Sequence, residues 1–227
     1  GTKIEALLLD ADGRDIVRRR IPTPRGDYAA TIAAIATLVA ELETEGKTGA
    51  GVPVGIGIPG GISKRSGKVH NANSVWLNGR ELDRDLEKWL KRPVRLANDA
   101  NCFALSEATD GAGAGCTCVL GVILGTGTGS GIVINGVVRD GPLGIGGEWG
   151  HNPLPWPKAD ELPGPKCWCG REGCLETWVS GPGLSYDHFR ATGERISVER
   201  IMTQVLSGDA GAAASLERHA DRLARGL

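Results

Sequence analysis

The chain has 227 residues, 41% of them hydrophobic, and its 26 basic and 27 acidic side chains leave a formal net charge of −1. That length buries a sizeable core as one large domain or two modest ones, and the well-mixed charge argues against a nucleic-acid surface or a polybasic membrane patch. No apolar run approaches the roughly 20 residues that span a bilayer, and Gly1-Thr2-Lys3 lacks the charged start and apolar stretch of a signal peptide, so neither nucleic acid nor membrane is an expected partner.

From the N-terminus, Ile4–Asp10 reads as an apolar strand, Asp12-Gly13 as a hairpin turn and Ile16–Ile21 as the returning strand. Asp27 caps an expected helix running to about Glu45, with Ile32, Ile35, Val39 and Leu42 on one face. Val52–Ile58 is a short buried strand ending in Ile58-Pro59-Gly60-Gly61. Leu82–Leu90 reads as a helix and Val94–Ala97 as a strand that enters Asn98-Asp99-Ala100-Asn101, with a helix from Ala100 to about Ala108. Gly111–Gly115 is the expected linker between an N-terminal lobe, 1–110, and a larger lobe, 111–227. Strands follow at Val119–Leu124, Gly131–Asn135 and Val137–Arg139, with Asn135-Gly136 as a hairpin turn. The chain closes with helical stretches over Gly183–Arg190, Val198–Leu206 and Ala210–Arg225. Hairpin strands crossed over by helices indicate an α/β architecture with a mixed sheet in each half.

Glycine is over-represented, at 35 residues, and clusters around apolar strands, as in loops that bind phosphates or sugars. One histidine and three closely spaced cysteines, His151, Cys167, Cys169 and Cys174, make a full tetrahedral shell for Zn²⁺ with no open position, the signature of a structural site. The glycines at 170 and 173 permit the turns this requires. Three free thiols and a surface histidine are the plainer alternative. Cys102, Cys116 and Cys118 sit in apolar or glycine-rich sequence, a usage that suits a reducing cytoplasm better than a disulfide framework.

Asp99 follows a buried strand and opens a helix, where ligands collect in α/β folds, and a carboxylate there can take a proton from a substrate hydroxyl. It can equally be a helix cap. In Gly125-Thr126-Gly127-Thr128-Gly129-Ser130-Gly131, freed backbone N–H groups and the Thr126 and Thr128 hydroxyls can face phosphates. The run is neither a Walker motif nor a dinucleotide fingerprint, and a ligand-free glycine hairpin is the alternative. Asn71, Asn73 and Asn78 around Trp76 offer the amides and aromatic face of a sugar site, or a polar loop.

In order and spacing these pieces resemble the ROK family of repressors, open reading frames and sugar kinases, over essentially the whole chain. The resemblance rests on Gly1-Thr2-Lys3, Gly57-Ile58-Pro59-Gly60, Leu96-Ala97-Asn98-Asp99-Ala100-Asn101, Gly125-Thr126-Gly127, Glu148-Trp149-Gly150-His151 and the block from Cys167 to Glu176. It implies a two-lobed actin-like (ribonuclease H-like) ATPase fold and an ATP-dependent hexose kinase, with Mg²⁺ and structural Zn²⁺ as cofactors, working as a cytoplasmic homodimer. By the same resemblance Asp99 is the general base, and Asn98, Glu148, His151 and Glu176 hold sugar hydroxyls, with Asn78 beside them. His151 serves both metal and sugar, and Thr126, Gly127, Thr2 and Lys3 face the ATP phosphates. Family members begin with a strand carrying Asp and two glycines and continue into an adenosine loop. The chain therefore reads as truncated at both ends, and by itself is not expected to be a competent kinase.

The wording of 71–79 and of Gly150-His151-Asn152-Pro153-Leu154-Pro155-Trp156 is similar to bacterial fructokinases, with N-acetylglucosamine kinases as near relatives. Trp76 and Trp149 are bulky candidates to narrow the space near a sugar C2, so the expected reaction is fructose to fructose 6-phosphate. N-acetylglucosamine or glucose is the alternative substrate, and a sugar-responsive transcriptional repressor of the same family the alternative function. A small zinc-binding module would leave Asp99 and the 125–131 loop idle.

Overall fold

The computed structural model describes residues 2–49 and 51–227, so Gly1 lies outside the described residues. Two compact units form, one from the residues up to Cys102 together with Asp140–Ile145, the other from Phe103–Arg139 and Gly146–Leu227.

In the first unit β1 (Lys3–Leu9) pairs antiparallel with β2 (Asp15–Pro22), Leu8 opposite Val17. The connecting turn is closed by the Asp10 carboxylate, which accepts from the backbone N–H groups of Asp12 and Arg14. Helix α1 (Tyr28–Gly46) starts where expected, because the Asp27 side chain accepts from the Ala30 N–H, and stops at Lys47 in the left-handed region. Its buried face serves two apolar clusters: Ile32 joins Ile58, Leu77, Leu86 and Val94, while Leu38 and Leu42 join Leu8 and Val17. Leu86 is fully buried, on the order of 2 kcal/mol of transfer free energy.

Strand β3 (Val54–Ile58) runs parallel to β6 (Val94–Asn98), with α2 (Leu82–Leu90) on the path between them. A short hairpin of β4 (Gly61–Ile62) and β5 (Val69–His70) was not expected from the sequence. Among the described residues β1 pairs with β2 alone and β3 with β6 alone. A cavity of about 390 Å³ is lined by both strands, including Ala6, Leu8, Val54 and Ile56, and by Ile35 and Leu38 of α1.

Helix α3 (Asp99–Thr109) begins in the first unit and ends in the second. The boundary expected at 110/111, in the Gly111–Gly115 run, is thus displaced into this helix. The reason is close packing: a Cβ on Gly121 of β7 (Cys118–Leu124) would lie 2.8 Å from Ala104. Residues 140–145 return to the first unit, where Lys64 bonds the Asp140 carboxylate and the Gly141 carbonyl.

In the second unit β7, β8 (Thr128–Ile134) and β9 (Val137–Val138) form one antiparallel sheet, not the mixed sheet expected, because tight turns join the strands. Asn135-Gly136 makes the turn with φ of 52° and 71°, as a two-residue hairpin loop demands. Helices α4 (Glu176–Val179), α5 (Gly181–Thr192), α6 (Val198–Leu206) and α7 (Ala210–Gly226) follow. Trp178 packs with Leu154, Leu175 and Val179, and the Arg222 guanidinium lies over its ring. That guanidinium bonds both Glu161 and Asp187, while Arg225 also grips Glu161. Among the described residues no helix is long and apolar enough to cross a membrane.

Candidate functional site

In the first unit, Asp99 stands where β6, a parallel strand, passes into α3. The helix start is organised by its neighbour. The Asn98 side chain accepts from the Asn101 N–H at 3.0 Å, the bond of an N-cap, and donates to the Gly60 carbonyl at 2.8 Å. The cap, for which the sequence offered Asp99, therefore falls to Asn98. Asp99 accepts from the Ala100 N–H and keeps an exposed face. Loss of water around the carboxyl raises its pKa, partly offset by backbone N–H groups.

Gly60 has φ of 79°, and a Cβ there would lie 2.4 Å from the His70 carbonyl and 2.7 Å from the Ala72 N–H nitrogen. Only glycine lets the end of β3 meet this loop. Asn78 closes the loop from the other side, accepting from the Ala72 N–H and donating to the Ala72 carbonyl. Its amide is engaged in holding residues 72–78. Trp76 packs on the core of the first unit and donates to the Thr31 hydroxyl. Trp149 likewise joins the Leu154, Leu175 and Trp178 cluster of the second unit. Thr2 and Lys3 lie at the exposed start of β1, where the Thr2 carbonyl accepts from the Thr23 N–H.

The second unit gathers most of the other candidates. Two glycines press the loop carrying Glu148 and His151 onto β8: a Cβ on Gly147 would lie 2.5 Å from the Ser130 carbonyl, and one on Gly150 2.3 Å from that of Thr128. The Gly150 carbonyl accepts from the Glu176 N–H, the Asn152 carbonyl from Leu175, and Pro153 bridges Cys174. This short ladder brings His151 beside the cysteine block.

His151, Cys167, Cys169 and Cys174 place one ligand atom each within 4.8 Å of all the others. A tetrahedral zinc site with Zn–S near 2.3 Å and Zn–N near 2.0 Å has edges of about 3.8 Å between sulfurs and about 3.5 Å from sulfur to nitrogen. The structure has Cys169 and Cys174 sulfurs 3.7 Å apart and the Cys167 sulfur 3.5 Å from His151 Nδ1. The residues fit the ion. Nδ1 is the imidazole nitrogen turned to the thiols, so any second role of His151 falls to Nε2. Arg171 lowers the Cys169 thiol to about 6, while burial pushes Cys174 up to about 12. A dication resolves that opposition, because it favours all three thiolates together.

Glu176 opens α4 and was expected to meet substrate. Its Oε2 accepts from the Thr128 N–H at 3.0 Å, and its Oε1 accepts from the Trp168 indole N–H at 2.6 Å. Gly127 is the condition for this approach, since a Cβ there would lie 2.6 Å from Oε2. The glycine loop also meets the start of α5, where the Gly125 carbonyl accepts from the Gly181 N–H. Thr126 and Gly127 thus sit beside a capped helix N-terminus, the setting in which backbone N–H groups collect anions. Trp168 and Ser180, the cap of α5, were not singled out from the sequence. The Ser-Gly-Pro-Gly run at 180–183 was the available signal for the latter.

A model of the ROK family matches residues 1–227. The N-acetyl-D-glucosamine kinase of Pectobacterium atrosepticum is 40% identical over 228 residues, which cover 99% of this chain and 74% of that protein. A ROK family glucokinase from Streptomyces griseus, solved with glucose and AMPPNP, superposes with a TM-score of 0.81 at 30% identity, covering 100% of this chain and 75% of the other. A ROK family transcriptional regulator, a homologue of the Escherichia coli Mlc protein, gives 0.81 at 25% identity over 98% of this chain and 58% of its own.

Proposed function

The chain belongs to the ROK family and has its actin-like α/β fold, and from that premise we propose that it serves ATP-dependent phosphorylation of a hexose, with N-acetylglucosamine as the first sugar to test. The observation that carries the reading is Asp99. It stands at the carboxyl end of a parallel strand, is relieved of the capping role by Asn98, and has a raised pKa. A base in that position takes the proton of the attacking sugar hydroxyl as the phosphoryl group transfers.

The remaining roles follow from chemistry. Glu148, Glu176 and His151 Nε2 bind and orient sugar hydroxyls, and Asn98 holds the helix start that presents Asp99. The N–H groups around Thr126 and Gly127 receive phosphate charge, with Thr2 and Lys3 as the corresponding group at the start of β1. Mg²⁺ enters with the nucleotide, held mainly by phosphate and water, as it is in many kinases. Zn²⁺ in the His151, Cys167, Cys169 and Cys174 shell supplies folding free energy to the loop that carries these groups.

The sugar is argued from two sides. The 40% identity is to a protein named for N-acetyl-D-glucosamine. The fructose reading leaned on the wording of 71–79 and of 150–156, and in the first of these Asn78 and Trp76 are engaged within the first unit. A coupled assay of ADP release with MgATP and a panel of hexoses decides the matter. Release dependent on N-acetylglucosamine, with the highest kcat/KM of the panel, is the expected result. Preference for fructose would restore the other substrate, and no release with any hexose from the full-length protein would remove the kinase reading in favour of a sugar-sensing regulator.

A further inference from the structure

Trp168 sits between two of the thiols of the metal shell, yet it is 70% exposed and joins none of the apolar clusters among the described residues. A large exposed aromatic in that position calls for a reason beyond packing. Its backbone is held by a tight turn in which the Cys167 carbonyl accepts from the Gly170 N–H and the Arg171 carbonyl from the Cys167 N–H. Its ring meets His151 edge-on at 4.7 Å between centroids. Its N–H then donates to Glu176 Oε1, while Oε2 of the same carboxylate accepts from Thr128 N–H at the end of the glycine loop. A continuous path runs from the metal shell through Trp168 and Glu176 to the backbone of the glycine loop.

We propose that Trp168 is a positioning residue that transmits occupancy of the His151, Cys167, Cys169 and Cys174 shell to the glycine-rich loop through the Glu176 carboxylate. This rests on the metal and phosphate-loop reading given above. With an ion in place, Cys167 and Cys169 are fixed on both sides of Trp168, so its indole N–H is held toward Oε1. A carboxylate fixed at one oxygen presents the other to Thr128 in a constant direction. Without the ion, the turn that carries Trp168 loses its anchor, and the charge-assisted bond to Thr128 weakens with it. The coupling is physical contact along one chain of bonds, and it needs no motion of the helices.

The test uses the whole chain, neither sugar nor nucleotide, and amide hydrogen exchange resolved at Thr128. Chelator-treated protein is compared before and after one equivalent of zinc. Thr128 exchange is expected to slow by about tenfold or more on loading, the size of a charge-assisted bond. Trp168→Phe keeps the ring and removes the donor. It is expected to bind one zinc per chain by metal analysis, yet to lose most of the zinc-dependent slowing at Thr128. Glu176→Gln, a second route to the same loss, covers the case in which the phenylalanine variant is unstable. The proposal is overturned by an unchanged zinc effect in Trp168→Phe, by the absence of any zinc effect at Thr128 in the wild type, or by failure of the shell to take up zinc. None of these results bears on hexose-dependent ADP release, so this inference and the kinase reading fail independently.

Discussion

Glu161→Gln is the most informative stability test, because four N–H groups converge on this one carboxylate. Arg222 Nε and Arg225 Nη2 reach Oε1 at 2.8 Å each, and Arg225 Nη1 and the Lys158 N–H reach Oε2 at 3.0 and 2.8 Å. Glu161 is only 4% exposed and Arg222 3%. Burial alone would raise the carboxyl, but the bonds from Arg225, Lys158 and Arg222 outweigh it and bring it from 4.5 to about 2. That displacement corresponds to about 3 kcal/mol in favour of the charged form at neutral pH. Glutamine keeps the shape but turns a donor toward guanidinium groups and leaves them short of an anion, the costly way to break a buried pair. The sign follows from the lowered folded value: the stabilisation is complete above about 4.5 and is lost as pH falls toward about 2. Urea unfolding of wild type and variant, at pH 7 and pH 3 with chelator throughout, removes proton competition at the thiols. The gap between them should be about 3 kcal/mol at pH 7 and about half that at pH 3. A gap under about 0.5 kcal/mol at pH 7, or one equal at both pH values, refutes the reasoning.

Three further outcomes are expected. Cys169→Ser should take zinc content from one per chain toward zero and lower Tm by about 5 °C or more, read by metal analysis and calorimetry; retention of zinc would mean the shell is not closed by this thiol. In a protein that turns over hexose, Asp99→Asn should cut kcat by about 10²–10⁴ while sugar affinity stays within about threefold, and the wild-type acid limb should lie above the ordinary carboxylate range because the Asp99 pKa is raised. Near wild-type turnover would reduce Asp99 to a structural role. Gly127→Ala pushes a Cβ toward Glu176 Oε2, so hexose affinity measured by calorimetry should fall about tenfold with zinc content unchanged; unaltered affinity would show that this carboxylate does not meet the sugar.

What the sequence made legible was local. Asp27 announced α1 because a cap and a periodic apolar face are adjacent in the chain, and α2 and α6 span the residues expected. The metal shell was visible for the same reason, since three of its four ligands fall within eight residues from Cys167 to Cys174. The hairpin of β4 and β5 was not, because strands of two residues exist only where the Gly60 backbone meets the loop at His70 and Ala72. Asn98 was not legible as the cap, because only its bonds with Asn101 and Gly60 in the folded chain single it out over Asp99. The Glu161 cluster draws partners from residues 158 to 225, and no periodicity records that convergence.

The first unit has one further property of consequence. Helix α1 supplies Ile32 to the cluster around the β3–β6 pair and Leu38 and Leu42 to the cluster around the β1–β2 hairpin, while among the described residues no backbone ladder joins the two pairs. The helix is a beam resting on two separate supports. Cooperativity across this unit is therefore carried by side-chain packing on one helix and not by a shared run of strand hydrogen bonds. Such an arrangement opens in parts: the hairpin can loosen with the second half of α1 while the parallel pair and α2 stay closed. Unfolding here can then proceed by local releases, one support at a time.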